Sequence, residues 1–171
     1  VTLGLALAGL FCSATARADV ITSNVAQAPA ATNGVSTDDG WLAQKFFTGP
    51  SAMYLDQVRA RTFFGNNVFV GIFSDAAGIP GTQMGLFDIN LPLTNGAVND
   101  FPYSGAPMLL AANTPYWIVE GAPSGITNYS WTYTSGASTG PGSIPHNWAY
   151  SASYNTGWTP QMGFAYMMEV Q

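Results

Sequence analysis

Residues 55–64, LDQVRARTFF, carry the alternation that decides the fold. Along an extended chain, every second side chain points to the same face. Here one face is mostly apolar and the other is polar and charged, with Val58, Ala60, Thr62 and Phe64 set against Gln57, Arg59 and Arg61. A period of two with one charged face predicts a half-exposed strand in an antiparallel sheet.

Similar segments recur along the chain, separated by Gly, Pro, Asn or Asp. VFVGIF (68–73) is apolar on both faces, which predicts a central strand, and QMGFAYMMEVQ (161–171) alternates in a way that predicts one closing strand. After residue 18 no window has a helical period. The sequence therefore predicts an all-β fold, a two-sheet antiparallel β-sandwich that is jelly-roll-like, with an up-and-down barrel as the alternative.

The first 18 residues have the pattern of a secretory signal peptide. An apolar run, Leu3–Phe11, precedes small residues and the cleavage pattern Ala16-Arg17-Ala18. We therefore expect residues 19–171 to form a single β-sandwich domain, secreted or held at the bacterial cell surface. Cys12 is the only cysteine, so the mature domain is expected to contain no disulfide and no thiolate metal site.

The charge of the chain excludes one class of partner. Lys and Arg number 4 against 9 Asp and Glu, and charged residues make up 8% of the chain. A nucleic-acid binder needs a cationic surface that replaces counterions on phosphate. No nucleic-acid partner is expected, and anionic lipid is not expected to attract the chain by charge.

The segment SDAAGIPG (74–81) invites a metal or catalytic interpretation because an aspartate follows a strand. Calcium needs several oxygen ligands, and the five residues after Asp75 offer no side-chain oxygen. The sequence favours an Asx-turn at Asp75, with positive φ at Gly78 and Gly81 and a turn position fixed by Pro80. No metal or cofactor is expected, although backbone oxygens leave calcium open.

Catalytic groups are scarce. His146 is the only histidine, so a serine triad would depend on it, and the chain has no Gly-x-Ser-x-Gly elbow. Glu120 and Glu169 are the only glutamates and would have to form the carboxylate pair of a glycosidase. Both lie at strand positions that are normally solvated, so we predict no catalytic residues and no enzymatic activity.

The long segment 135–160 is rich in Gly, Ser and aromatic residues. Sugars offer apolar C–H faces and hydroxyl rims, which suit aromatic rings accompanied by amides. This chemistry predicts a carbohydrate-binding group formed by Asn147, Trp148, Tyr150, Tyr154 and Trp158. The alternative is that these rings pack over one end of the sandwich, whereas Trp41, Trp117 and Trp131 are expected to pack within strands.

The order of the strand motifs resembles a known family. The motifs are WLAQKFFTG (41–49), YLDQVRARTFF (54–64), VFVGIFSDAAGIPGTQMG (68–85), LLAANTPYWIVEG (109–121) and YSWTYT (129–134). This order resembles the choice-of-anchor R domain family of bacterial exported proteins. The resemblance implies an exported single domain, often followed by a PEP-CTERM sorting tail, and implies no enzymatic activity.

No Pro-Glu-Pro motif or apolar span follows the last predicted strand, so surface anchoring and release both stay open. A membrane contact is expected only through such a tail. The sequence thus predicts a non-enzymatic domain with a structural or adhesive role in the envelope or extracellular matrix, where extracellular polysaccharide is the expected partner. Two alternatives stay open: a carbohydrate-binding module, and self-association as a fibre subunit, with DVITSNVAQ (19–27) as the donated strand.

Overall fold

The computed structural model describes residues 19–35, 40–64, 68–90, 92–121, 129–153 and 156–171. The predicted signal peptide, residues 1–18, lies outside them. Every regular element in the described ranges is a β-strand. The strands are β1 (Thr22–Ser23), β2 (Ala31–Val35), β3 (Trp41–Phe47), β4 (Met53–Leu55), β5 (Gln57–Phe64), β6 (Phe69–Ala76), β7 (Ile79–Leu86), β8 (Val98–Pro102), β9 (Met108–Leu110), β10 (Pro115–Gly121), β11 (Tyr129–Thr134), β12 (Asn147–Ser151), β13 (Thr159–Met162), β14 (Ala165–Tyr166) and β15 (Met168–Val170).

Two antiparallel sheets pack against each other, which confirms the predicted β-sandwich. The seven-stranded sheet has the order β1-β15-β5-β11-β14, with β2 beside β11 and β8 beside β5. The six-stranded sheet has the order β13-β12-β3-β10-β6-β7, and β4 pairs with β9 in a separate ribbon. Consecutive strands cross repeatedly from one sheet to the other, for example from β10 to β11 to β12, which gives the fold its jelly-roll-like connectivity.

The alternation in β5 appears as predicted. Val58 and Ala60 are fully buried, and they lie opposite Val170 and Met168 of β15. Arg61 stays partly exposed on the other face. The sequence period therefore decides which face of the seven-stranded sheet joins the core.

The main core lies between the two sheets. Buried apolar side chains from both sheets meet there, including Leu42, Phe46, Ile72 and Ile118 from the six-stranded sheet and Val58, Trp131, Tyr166 and Met168 from the seven-stranded sheet. Full burial of a large apolar side chain contributes about 1.5–3 kcal/mol. This layer is therefore the main source of stability.

The outer face of the six-stranded sheet holds a second apolar cluster, which we call the outer cluster. Its members are Trp41, Ala43, Phe73, Trp117, Val119 and Ala149, with Phe69 and Trp158 packed against them. A Cβ on Gly71 would lie 2.9 Å from the ring of Phe69, and a Cβ on Gly121 would collide with the ring of Trp41. These two glycines allow the rings to lie close against the sheet, so β3, β6 and β10 carry packed apolar side chains on both faces.

The loop after β6 is a tight hairpin turn. Ala77 and Gly78 have φ values of 55° and 92°, as the two central residues of a type I′ turn require. The backbone N–H of Gly78 donates to Asp75 Oδ2 over 3.1 Å, so Asp75 holds the turn as predicted, but through the residue three positions on and not through the Asx-turn bond two positions on. The predicted turn roles of Gly81 and Pro80 are wrong, because both residues already belong to β7 and Pro80 lies opposite Asp75. Pro80 is accommodated because β7 is an edge strand.

The closing segment is not one strand. It divides into the end of β13, then β14 and β15, and the chain crosses between sheets at Gly163, which has a φ of 121°. Tyr166, Met167 and Met168 are all fully buried in consecutive positions. A single half-exposed strand cannot bury three neighbouring side chains. The alternation is lost at Met167, where the chain leaves β14 beside β11 and enters β15 beside β5.

Candidate functional site

The predicted carbohydrate-binding residues do not come together on one face. Trp148 lies opposite Gln44 in β3, and Tyr150 lies opposite Leu42 on the core side of the sheet. Trp158 instead packs against the outer cluster, on the other face of the same sheet. Asn147 alternates with Trp148 and so falls on the outer side, whereas Tyr154 lies outside the described residues. A single platform that uses both tryptophans is therefore not formed.

Trp148 belongs to a stack of aromatic rings between the two sheets. Its ring lies 4.8 Å from that of Phe164 at an interplanar angle of 23°, and Phe164 lies 3.9 Å from Tyr133 at 21°. Phe164 therefore has a ring on each face, and Tyr166 meets its edge at 5.4 Å. Stacked faces are unavailable to a sugar, so this geometry favours packing at Trp148.

Tyr150 differs from its neighbour in the stack. Its ring lies 6.2 Å from that of Trp148 in a tilted arrangement, and 41% of the residue is exposed. Tyr150 is therefore the predicted residue on this face whose ring is most open to a ligand. Tyr133 and Phe164, which complete the stack, were not among the residues predicted from the sequence.

We expect Trp148→Ala to lower the free energy of unfolding by about 2 kcal/mol, because it removes a stacked ring that covers the core. Tyr150→Ala is expected to cost less than about 1 kcal/mol, because that ring is largely exposed. Urea unfolding followed by fluorescence measures both variants. Equal losses for the two variants would contradict the packing role of Trp148.

A polar cluster lies on the outer face at the start of the β6–β7 hairpin. Lys45 Nζ lies 2.8 Å from Asp75 Oδ1, and Trp117 Nε1–H donates to the same oxygen over 2.8 Å. The Lys45 ammonium also lies 5.3 Å from the ring centre of Phe47 and 5.6 Å from that of Trp117. Asp75 thus organises three strands, β3, β6 and β10, through one carboxylate.

The Asp75 carboxylate is used entirely within the protein. Burial alone would raise its pKa, but hydrogen bonds from Lys45, Trp117 and Gly78 outweigh burial and lower the pKa below its ordinary value. Its two oxygens serve these three donors, which leaves a poor ligand for a cation. Asp75 therefore has a structural role, both in turning the chain and in joining the outer cluster to a charged pair.

The two glutamates lie in different sheets and do not face a common site. Glu169 of β15 accepts a hydrogen bond from Arg59 Nη1 over 3.1 Å, and Arg59 Nε donates to Asp100 over 2.7 Å. Gln171 Nε2 also donates to Glu169, so this carboxylate belongs to a polar network on the seven-stranded sheet. Glu120 and Glu169 therefore do not form the carboxylate pair that glycoside hydrolysis would require.

Glu120 is fully buried on the core side of β10, opposite Leu42 and Val70. Neither carboxylate oxygen has a hydrogen-bond partner among the described residues. The hydroxyl of Tyr129 is close but donates to the backbone oxygen of Glu120 over 2.8 Å. Burial raises the pKa of Glu120 well above its ordinary value, so a neutral carboxylic acid is favoured there.

His146 lies immediately before β12, and its backbone oxygen accepts a hydrogen bond from the N–H of Gly163. Across the ranges that the structure covers, no three His, Cys, Asp or Glu residues lie close enough together to hold a metal ion. In those same ranges we find no helix with the length and apolar character needed to cross a bilayer.

Comparison with known proteins adds no relative. The chain matches no protein-family model, no curated protein and no solved structure. The resemblance to the choice-of-anchor R domains therefore stays a prediction from the motifs alone.

Proposed function

We propose that this protein is an exported, non-enzymatic β-sandwich domain with a structural and adhesive role at the cell surface or in the extracellular matrix. The support is the contrast between its carboxylates and its exposed apolar side chains. The carboxylates of Asp75, Asp100 and Glu169 are engaged in contacts within the molecule, and Glu120 is enclosed in the core. Large apolar side chains, by contrast, are displayed to solvent.

The observation that carries the proposal is the ribbon formed by β4 and β9. Tyr54 and Leu109 lie opposite each other, and they are 65% and 56% exposed. Their neighbours Leu55 and Leu110 are buried in the main core and hold the ribbon in place. An aromatic ring beside an aliphatic side chain, on a fixed base and without charge, suits the C–H face of a polysaccharide.

The adhesive role predicts that Tyr54→Ser combined with Leu109→Ser will reduce retention on neutral polysaccharide by about fivefold or more. The expected cause is the loss of two apolar contacts, each worth about 0.5–1.5 kcal/mol. Retention of purified protein on cellulose and chitin films measures the effect. Met162→Ser is the matched control, because Met162 is also exposed but lies on β13, an edge strand of the six-stranded sheet, and not on the ribbon.

Two results would contradict the adhesive role. One is the absence of retention for the unmodified protein on every polysaccharide film. The other is equal retention of the ribbon variant and of the Met162→Ser control. In either case the unfolding midpoint must first show that each protein is folded.

Assembly by strand donation receives less support. The segment proposed as the donor already pairs with its own chain, since β1 lies against β15 and Ile21 is fully buried. The backbone N–H of Ile21 donates to Val170 O over 2.8 Å, and Ile21 O accepts from Gly142 over 2.8 Å. Donation to a neighbour would first break these contacts, so the geometry favours the single domain as the working unit.

A further inference from the structure

A shallow pocket opens on the outer face of the seven-stranded sheet. It spans three neighbouring strands, β5, β11 and β2. Its lining is formed by Pro29, Ala30, Ala31, Thr32, Arg61, Phe63 and Thr132. One cation, one aromatic ring and two hydroxyl groups therefore border a space with an otherwise apolar wall.

Arg61 differs from the other basic residues in the described part of the chain. Lys45 is paired with Asp75, and Arg59 is paired with Asp100 and Glu169. Arg61 has no carboxylate partner among the described residues; its Nε–H donates to the backbone oxygen of Gly96 over 3.0 Å. The guanidinium is thus held by one neutral hydrogen bond and retains further N–H groups for an anion.

Thr132 provides a second, independent indication of a ligand. The residue is 2% exposed, and its hydroxyl has no hydrogen-bond partner among the residues described. A buried hydroxyl without a partner carries the cost of its lost hydration, which a ligand with its own hydroxyl would offset. Thr132 and Arg61 both line the pocket, and the backbone of Met167 joins them, since its N–H donates to Thr132 O and its carbonyl oxygen accepts from the N–H of Arg61.

Gly96 positions the cation and the ring together. Its φ of 76° is in the left-handed region that favours glycine, and its N–H donates to Thr62 O over 2.9 Å. A Cβ on Gly96 would lie 2.6 Å from the ring of Phe63, so only glycine allows that ring to approach. The same residue accepts the hydrogen bond from Arg61, which fixes both walls of the pocket relative to each other.

We propose that this pocket binds a uronic acid residue of an acidic polysaccharide. The carboxylate pairs with Arg61, a C–H face of the sugar ring packs on Phe63, and a sugar hydroxyl bonds to Thr132. An acidic side chain of a peptide would satisfy Arg61 but would leave the ring of Phe63 and the hydroxyl of Thr132 unused. This inference deepens the proposed function and rests on it for the presence of extracellular polysaccharide.

The test is calorimetric titration of the full purified chain with oligogalacturonate, with its methyl ester and with an oligo-aspartate of equal carboxylate number. We expect oligogalacturonate to bind and its methyl ester to bind at least about tenfold more weakly, because the ester has no charge for Arg61. Oligo-aspartate should also bind at least about tenfold more weakly, because it has no sugar ring for Phe63 and no hydroxyl for Thr132. Arg61→Gln should weaken oligogalacturonate binding by about tenfold or more. Arg59→Gln is the matched control on the same strand and should retain binding.

Thr132→Val keeps the shape of the side chain and removes only the hydroxyl, so it should weaken binding without loss of stability. The inference is overturned if oligogalacturonate does not bind, if the methyl ester binds equally, or if Arg61→Gln and Arg59→Gln behave alike. Equal binding of oligo-aspartate would identify an acidic peptide site instead. The ribbon variant Tyr54→Ser with Leu109→Ser should still bind oligogalacturonate, so failure of the adhesive surface and failure of this pocket are distinguishable.

Discussion

Replacing Glu120 by glutamine is expected to prevent most of the loss of stability that the unmodified protein undergoes as the pH rises from about 5 towards 9. The buried carboxyl has a pKa well above its ordinary value of 4.5, and the cause is burial. Above pH 4.5 the unfolded chain releases this proton while the folded chain retains it. The stability from Glu120 is therefore complete below the unfolded pKa and falls until the pH passes the folded pKa.

The slope of this loss is large. Between the two pKa values, each pH unit removes about 1.4 kcal/mol from the free energy of unfolding. The groups that face Glu120 do not stabilise its ionised form. They are Leu42 and Val70 on the neighbouring strands, and Tyr129 and Tyr166, whose own pKa values are raised chiefly by burial and further by the charge of Glu120. No cation is found among these neighbours.

Urea unfolding at a series of pH values from 4 to 9 measures the effect. The Glu120→Gln variant should match the unmodified protein near pH 4 and exceed it increasingly above pH 5. Glu169→Gln is the matched control, because it removes the other glutamate, which is paired with Arg59. That control should keep the alkaline loss, and parallel curves for Glu120→Gln and the unmodified protein would refute the account.

The fold was predictable wherever one face of a strand is buried and the other is not. Residues 55–64 show this directly, because burial in β5 follows the period-two pattern. The pattern failed in residues 161–171, where the chain crosses between sheets at Gly163 and then changes its partner strand from β11 to β5 at the buried Met167. A crossing depends on the position of both sheets, and a local period carries no information about that position.

The site was less predictable for a related reason. Trp148 and Trp158 are close in sequence, and a shared loop suggested a shared surface. The hairpin of β12 and β13 instead places them on opposite faces of one sheet, since a shift of one residue reverses the face. The partner of β9 was equally hidden, because β4 lies more than fifty residues earlier in the chain.

Asp75→Ala is expected to lower the free energy of unfolding by about 3 kcal/mol, more than any surface ion pair would. The Lys45 and Asp75 side chains are only 15% and 17% exposed, so the lysine would be left as a mostly buried charge beside Phe47 and Trp117. Trp117 Nε1–H would lose its acceptor, and the hairpin turn would lose the hydrogen bond from Gly78. Three separate costs therefore follow from one carboxylate.

Two further variants separate these costs. Asp75→Asn keeps an oxygen for Trp117 but removes the charge, so it should lose less stability than Asp75→Ala. Adding Lys45→Met to Asp75→Ala removes the unpaired cation and should recover part of the loss, which a double-mutant cycle measures. A loss below about 1 kcal/mol for Asp75→Ala would show that the pair behaves as an ordinary surface contact.

The pH dependence of the Asp75 contribution has the opposite sign to that of Glu120. The pKa of Asp75 is lowered, so its contribution is present above its ordinary value of 3.8 and is lost as the pH falls through the folded pKa. The difference in the free energy of unfolding between the unmodified protein and Asp75→Asn should therefore become smaller in strong acid. The corresponding difference for Glu120→Gln is also smallest at low pH, and it grows only as the pH rises. The six-stranded sheet thus carries an unpaired carboxyl on its core face and a paired one on its outer face, and stability should be greatest in the mildly acidic range between their two transitions.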